Sequence, residues 1–257
     1  MTHAQAAAHD DLTGRIAVVT GAASGIGQAT AEHLRQRGAV VAGLDLHAEG
    51  IPADCRPLIA DVRDQAAVSA AIAGFAEAHG RLDVLVNNVA VSFVGTVEDG
   101  SEEDWLRVLD INVLGQMRVM RAALPWLRKS DAASVVVMSS CSALNGLPQR
   151  ALYSASKGAV QAMAQAMAAD LVTEGVCVNC VSPGTVDTPF MTELIERDPR
   201  PDDRRHAFAS RQPTGRMVAP IEVARAVAYL AHPQARSSTG TTLVVDGGMG
   251  TIRPPRA

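Results

Sequence analysis

Residues 15–27 read RIAVVTGAASGIG. The first six are almost continuously apolar and rich in β-branched side chains. That length and composition suit a strand buried on both faces better than a helix. Gly21, Gly25 and Gly27 follow immediately, and residues 25–37 then take up helical periodicity. A buried strand feeding a glycine turn and a helix is the opening unit of a parallel sheet.

The rest of the 257-residue chain repeats that alternation. Strands are expected over residues 40–46, 56–62, 82–88, 134–140, 176–181 and 241–246. Helices are expected over 64–79, 101–128, 151–173 and 220–231, with Pro125 bending or ending the long one. Residues 187–218 are charged and irregular in pattern. The expectation is a single-domain, Rossmann-like α/β fold: a doubly wound parallel sheet of seven strands with helices on both faces. The domain covers residues 14–250, between an N-terminal tail (1–13) and a C-terminal tail (251–257).

Composition narrows the function. At 47% hydrophobic and 19% charged, the chain is no disordered segment. A net charge of −4 argues against nucleic acid or an anionic membrane as partner. Only 3% is aromatic, too little for a base-stacking platform. No run of 18 apolar residues suggests a membrane span. Residues 1–13 lack the basic and apolar regions of a signal peptide. Four cysteines make no disulfide framework, so the expected compartment is the cytoplasm. The seven histidines show no metal-ligand spacing, and no metal is expected. Cys177 and Cys180 have redox-motif spacing, but within a strand residues three apart face opposite ways. They read as core residues, and Cys141 as a packing residue near the site.

In an open parallel sheet, ligands bind at the carboxyl ends of the strands. There, Gly21, Ser24, Gly25, Ile26 and Gly27 can bring backbone N–H groups and a helix N-terminus up to a pyrophosphate. A plain tight turn would use the same glycines. Asp45 ends the second strand, 18 residues after Gly27. Its carboxylate can hold adenosine ribose hydroxyls and repels a 2′-phosphate. Leu46, His47 and the Ala22-Ala23-Ser24 turn supply no cation for such a phosphate, so NAD is favoured over NADP. Asp61 and Val62 end the third strand beside the expected adenosine.

Tyr153 and Lys157 lie four apart on one helix face. Moving a tyrosine from its free pKa near 10 to about 7 takes roughly 4 kcal/mol of phenolate stabilisation. An ammonium and an oxidised nicotinamide nearby are suitable sources. Such a tyrosine can take an alcohol's proton while hydride leaves the carbon. Ser140, at the end of the fifth strand, can hold the substrate oxygen. Asn112, on the preceding helix, can hold a water that relays the proton beyond Lys157.

In order, Thr20-Gly21-x-x-x-Gly25-x-Gly27, Asp61-Val62, Asn87-Asn88, Asn112, Ser140, Tyr153-x-x-x-Lys157, Pro183-Gly184 with Thr188, and Val245-Asp246-Gly247-Gly248 resemble the short-chain dehydrogenase/reductase family from Leu12 to Met249. The resemblance implies an alcohol–ketone oxidoreductase with Tyr153 as acid/base. It implies that Lys157 lowers the tyrosine pKa and holds the nicotinamide ribose, that Ser140 polarises the substrate oxygen, and that Asn112 orders the relay. It further implies that Asn88, Pro183, Gly184, the Val186 backbone and Thr188 line the cofactor, that residues 187–218 form a small helical substrate lobe, and that the assembly is a homotetramer. Val89-Ala90 replaces the family's Ala-Gly, adding two side chains near the ribose.

The substrate lobe's two ends, and Arg150 three before Tyr153, resemble a branch acting on small hydroxy acids. That branch includes cytosolic-type 3-hydroxybutyrate dehydrogenases and 2-keto-3-deoxy-L-fuconate dehydrogenases. Arg150 and Arg211 can hold a carboxylate; surface solvation or a subunit contact would account for them equally. A third arginine of that branch falls at Leu194, which keeps a neutral sugar or polyol open as substrate. A non-catalytic NAD-sensing protein on the same fold is a further alternative. Arg197, Arg200, Arg204 and Arg205 read as a solvated face.

Overall fold

The computed structural model describes residues 11–253; residues 1–10 and 254–257, where most of the two tails were expected, lie outside the described residues. Seven strands, β1 (Ile16–Thr20), β2 (Val40–Asp45), β3 (Arg56–Ile59), β4 (Val84–Asn87), β5 (Ser134–Met138), β6 (Cys177–Pro183) and β7 (Thr242–Val245), form one sheet in the order β3-β2-β1-β4-β5-β6-β7. Every pairing is parallel. The order reverses between β1 and β4, and the crevice beyond the carboxyl ends opens at that switch point.

The continuous apolar strands are explained by burial on both sides. In β1, Ile16 and Val18 face one core cluster while Ala17 and Val19 face the other. The first cluster takes Val68, Ile72 and Phe75 from α2 (Gln65–His79), Val119 and Leu127 from α4 (Gly115–Leu127), and Val160 and Ala164 from α5 (Ala151–Leu171). The second takes Ala31 and Leu34 from α1 (Gly25–Gln36) and Val223 and Val227 from α8 (Pro220–Ala231).

Local chemistry sets the helix ends. Asp64 caps α2 by accepting from the Ala66 and Ala67 N–H groups at 2.9 and 3.0 Å. Gly80 closes the same helix in the left-handed region, at φ 75°. Ser101 and Asp104 form a capping box at the start of α3 (Glu102–Leu109).

Two expectations are corrected. The expected helix over 101–128 is interrupted by a π turn, Asp110–Leu114, between α3 and α4. The Asn112 amide at its centre is pulled towards the loop after β4, a tertiary demand that helical periodicity does not register. Pro125 lies in the last turn of α4 and the helix ends two residues later, at Leu127. The 187–218 stretch, irregular in sequence pattern, holds two helices, α6 (Pro189–Glu196) and α7 (Pro201–Ala209), in agreement with the helical lobe that the resemblance implies. Each begins at a proline and buries a single side chain, Ile195 or Phe208, so the apolar stripe is too thin to read as a period. Finally, Leu12, assigned to the tail, is 1% exposed and its N–H donates to the Arg37 carbonyl at 2.8 Å. The fold therefore takes in residues 11–13.

Among the described residues no helix is long and apolar enough to cross a membrane. No group of three or more His, Cys, Asp or Glu among them is placed to hold a metal ion.

Candidate active site

One cleft of about 870 Å³ runs along the carboxyl ends of the strands. Its walls contain every expected cofactor residue except Gly27, and every expected catalytic residue except Asn112.

At the β1–α1 turn, Gly21 and Gly25 adopt left-handed φ values of 68° and 56°. Gly27 lies beneath the turn rather than in the cleft wall. A Cβ there would sit 1.9 Å from the Gly21 carbonyl oxygen, so α1 can approach β1 only with glycine at this position. Ser24 is exposed at the N-terminus of α1 and makes no side-chain cap, leaving its hydroxyl free beside the first-turn N–H groups. Asn88 holds this turn in place: its Nδ2 donates to the Thr20 and Gly21 carbonyls at 3.0 and 3.4 Å. Val89 packs against Gly21 and the first core cluster, so the larger side chain has a place in the fold.

Asp45 accepts from the Ala23 and Leu46 N–H groups at 3.0 and 2.8 Å. A carboxylate has about four acceptor positions, so two remain unused on a side chain that lines the cleft. Asp61 is held differently from the expectation. Arg63 clamps its carboxylate bidentately, with contacts from 2.6 to 3.1 Å, and keeps it below the usual carboxylate range. Arg63 also lines the cleft, and the sequence reading missed it. Val186 is buried and bridges Val218; Thr188 caps α6 and packs on Gly25, tying the substrate lobe to the glycine turn.

Ser140, Tyr153 and Lys157 meet midway along the cleft. The Ser140 hydroxyl bonds to Tyr153 and accepts from the Ser142 N–H at 3.2 Å. Lys157, 1% exposed, donates from Nζ to the Met138 carbonyl at 2.8 Å, and its Nζ lies 5.8 Å from the Tyr153 ring centroid. Burial pushes its ammonium down to about 8. The expected neutral-range tyrosine is not a property of the chain alone. Burial pushes the Tyr153 phenol up to about 12, against the opposing pull of Ser140 and Arg150.

Asn112 is fully buried, and its amide is committed. Nδ2 donates to the Val91 carbonyl at 2.9 Å and to Ser156 Oγ at 3.0 Å, while Oδ1 accepts from the Val91 N–H at 2.8 Å. It ties the loop after β4 to α5, and one Oδ1 lone pair is what its side chain leaves for a relay water.

The substrate end is cationic. Arg150, at the N-terminus of α5, donates to Ser92 Oγ and the Phe93 carbonyl at 3.2 and 3.1 Å. Arg211 lies against the Phe208 ring, its Cζ 4.6 Å from the centroid. Burial lowers the pKa of both guanidiniums, and no carboxylate is among the groups acting on either. Arg204, assigned to the solvated face, is partly exposed beside Asp198 and also stacks on Phe208 with its Cζ at 4.7 Å from the centroid. Cys141 lines the cleft with its Sγ 3.7 Å from Met249 Sδ; burial raises its thiol to about 11, so it remains protonated packing. Cys177 faces the Arg236 carbonyl and Cys180 lies in the first core cluster, on opposite sides of β6, as the spacing predicts.

A parallel sheet with this switch point, a glycine turn at one end of the cleft and a Ser–Tyr–Lys group in the middle define a class, and the comparisons agree. The chain belongs to the short-chain dehydrogenase/reductase family of oxidoreductases: a family model described as enoyl-(acyl carrier protein) reductase matches residues 21–250. The 3-oxoacyl-(acyl-carrier-protein) reductase FabG of Thermotoga maritima is 34% identical over 248 residues, covering 93% of this chain and 98% of that protein. Dehydrogenase/reductase SDR family member 6 of Rattus norvegicus is 35% identical over 244 residues, covering 92% and 98%. Among solved structures, ligand-free aldohexose dehydrogenase of Thermoplasma acidophilum superposes with a TM-score of 0.91 at 33% identity, covering 97% of this chain and 99% of that one.

Proposed function

We propose that the protein is an NAD-dependent dehydrogenase interconverting a secondary alcohol and a ketone, with a small hydroxy acid or sugar-derived acid as substrate. The observation that carries the substrate class is the pair Arg150 and Arg211. Both are partly desolvated, both line the cleft that holds Ser140 and Tyr153, and neither is acted on by a carboxylate. A guanidinium in that condition favours an anionic ligand.

The cofactor cradle fits a dinucleotide. The close approach at Gly27 and the left-handed Gly21 and Gly25 leave backbone, not side chains, at the α1 N-terminus. The two unused acceptor positions of Asp45 favour ribose hydroxyls over a 2′-phosphate. Arg63, which lines the same cleft, is engaged by Asp61. An oxidised nicotinamide, when bound, would bring a positive charge to the cleft and supply the hydride acceptor, the charge being lost as the hydride arrives. Ser140 holds the substrate oxygen. Tyr153 removes its proton, and needs its phenol lowered from about 12 to do so. Lys157 is held by Met138 where it can reach a ribose and take part in that lowering. Asn112 keeps the loop after β4 and α5 in register. A homotetramer acting in the cytoplasm is part of the same proposal, and exposed apolar side chains, Leu106, Leu114 and Tyr229 among them, are available for contact between copies.

A second reading, a neutral aldose as substrate, is supported by the likeness to aldohexose dehydrogenase. NADH formation across hydroxy acids, sugar acids, aldoses and secondary alcohols separates the two. Loss of one charge-assisted hydrogen bond is worth roughly 10- to 150-fold in kcat/KM. Arg150→Met and Arg211→Met should each cost that much on an acid and spare a neutral alcohol of the same size. Full activity of both variants on the best substrate would overturn the acid reading.

A further inference from the structure

Arg118, in the first turn of α4, reaches back along the helix. Its Nη2 donates to Asp110 Oδ1 at 2.8 Å, and its Nη1 lies 3.5 Å from the Asp110 carbonyl oxygen and 3.4 Å from that of Val62. Asp110 opens the π turn that has Asn112 at its centre. Val62 lines the cleft beside Asp61 and Arg63, at the end expected to hold adenosine. Its side chain packs so closely on the turn's far end that a Cβ on Gly115 would sit 2.9 Å from its Cγ2. Gln65 Nε2 donates to the Arg118 carbonyl at 3.3 Å, a further tie between the two segments. Ile111, next to Asp110, is itself part of the cleft wall, and Arg118 stands behind that wall.

The ion pair depends on the turn. Arg118 and Asp110 are eight residues apart. In an unbroken α-helix that spacing sets two side chains about 80° apart round the axis. A π turn takes in one more residue, so the pair meets as residues seven apart do, about 20° from alignment. The contact therefore favours the register that delivers the Asn112 amide to Val91 and Ser156. Ser156 Oγ in turn donates to the Tyr153 carbonyl at 2.7 Å, which carries the register into the start of α5.

We propose that Arg118 is a positioning residue: it locks the π turn in the register that places Asn112, and it ties that register to the adenosine end of the cleft. The second half rests on the dinucleotide reading above for what fills that end, and goes beyond it by giving the filled end an effect on Asn112. Val91 draws the amide from one side, and Arg118 holds the start of the turn from the other. A ligand seated against Val62 and Ile111 restricts both segments that Arg118 joins, so the turn opens less often. The loop that Asn112 holds also carries Ser92, whose Oγ accepts from Arg150 at 3.2 Å. The ordered segment thus runs from the adenosine end to the substrate end.

The test is hydrogen exchange at the Val91 amide, which donates to Asn112 Oδ1 and so reports whether Asn112 is in place. Without ligand, Arg118→Met should exchange there about 10-fold faster than wild type, the low end for a charge-assisted hydrogen bond because the pair is partly exposed. Exchange at Val136, buried in β5, should not change. Asp110→Ala should accelerate Val91 by a similar factor, and the double variant should add nothing further, because both substitutions remove the same contact. ADP-ribose, the probe for the adenosine end, should slow Val91 at least about 5-fold in wild type and not in Arg118→Met. Calorimetry should find it bound by both with similar affinity. Unchanged Val91 exchange in Arg118→Met overturns the proposal. So does equal acceleration at Val136, the sign of general loosening, and so does additivity of the two substitutions. If ADP-ribose binds and slows Val91 equally in both proteins, the tie to the adenosine end is overturned. If it binds neither, the dinucleotide reading falls, and the ligand-free comparison by itself decides the lock.

Discussion

Lys157 should destabilise the protein it serves. Its ammonium is 1% exposed, and burial lowers its pKa from 10.5 to about 8. The folded chain then binds fewer protons than the unfolded chain between about pH 8 and 10.5. Stability therefore rises with pH across that window and, read downward, is lost as pH falls through the folded value. At 1.36 kcal/mol per pKa unit, the ionised lysine costs on the order of 3 kcal/mol at pH 7. Lys157→Met removes the charge but leaves the Met138 carbonyl, now its hydrogen-bond partner at 2.8 Å, unsatisfied at a cost of about 1–3 kcal/mol. At pH 7 the two effects nearly cancel, and the variant should be as stable as the wild type or more so, although inactive. The pH dependence is sharper because the orphaned carbonyl does not titrate. Between pH 7 and 10 the cofactor-free wild type should gain about 2–3 kcal/mol relative to Lys157→Met. For a chain of this size that is roughly 5–10 °C in relative Tm. Urea or thermal unfolding of both proteins at the two pH values measures it. Parallel pH profiles would refute the buried-ammonium argument, because the variant has no group there to titrate.

Tyr153→Phe should abolish turnover while leaving the dissociation constant for NAD within a few-fold of wild type, since only the phenol hydroxyl is lost; fluorescence titration beside activity assays checks both. Asp45→Ala combined with Leu46→Arg should shift preference towards NADP, by removing two acceptor positions and adding a phosphate partner, and direct titration with both cofactors would show no shift if Asp45 does not face the ribose. Gly27→Ala puts a Cβ 1.9 Å from the Gly21 carbonyl oxygen, so either α1 moves off β1 or the chain fails to fold; the expected outcome is loss of cofactor binding with a large drop in Tm, and an unchanged Tm would contradict the packing described.

The strand pattern, the glycine turn, Asp45, Ser140 and the Tyr153–Lys157 spacing were all legible in the sequence, because each depends on local periodicity or on position relative to a strand end. Residues 220–231 form a helix over the expected span for the same reason, with Pro220 starting it and an apolar face against the sheet. What depends on distant parts of the chain was not legible. The π turn at Asp110–Leu114 exists because Val91, 21 residues away, takes both ends of the Asn112 amide. The clamp of Arg63 on Asp61 was within reach of sequence reasoning, since the two are only two residues apart, but nothing in their spacing shows that both face the cleft. The titration of Tyr153 is set by how deeply α5 and its neighbours bury the phenol, and burial is a property of packing. Arg204 makes the contrast plainest. By sequence it is one of several arginines on a charged stretch, like its neighbours Arg200 and Arg205. Only the burial of Phe208 brings that side chain over a ring face one helical turn away, while it stays partly exposed and beside Asp198.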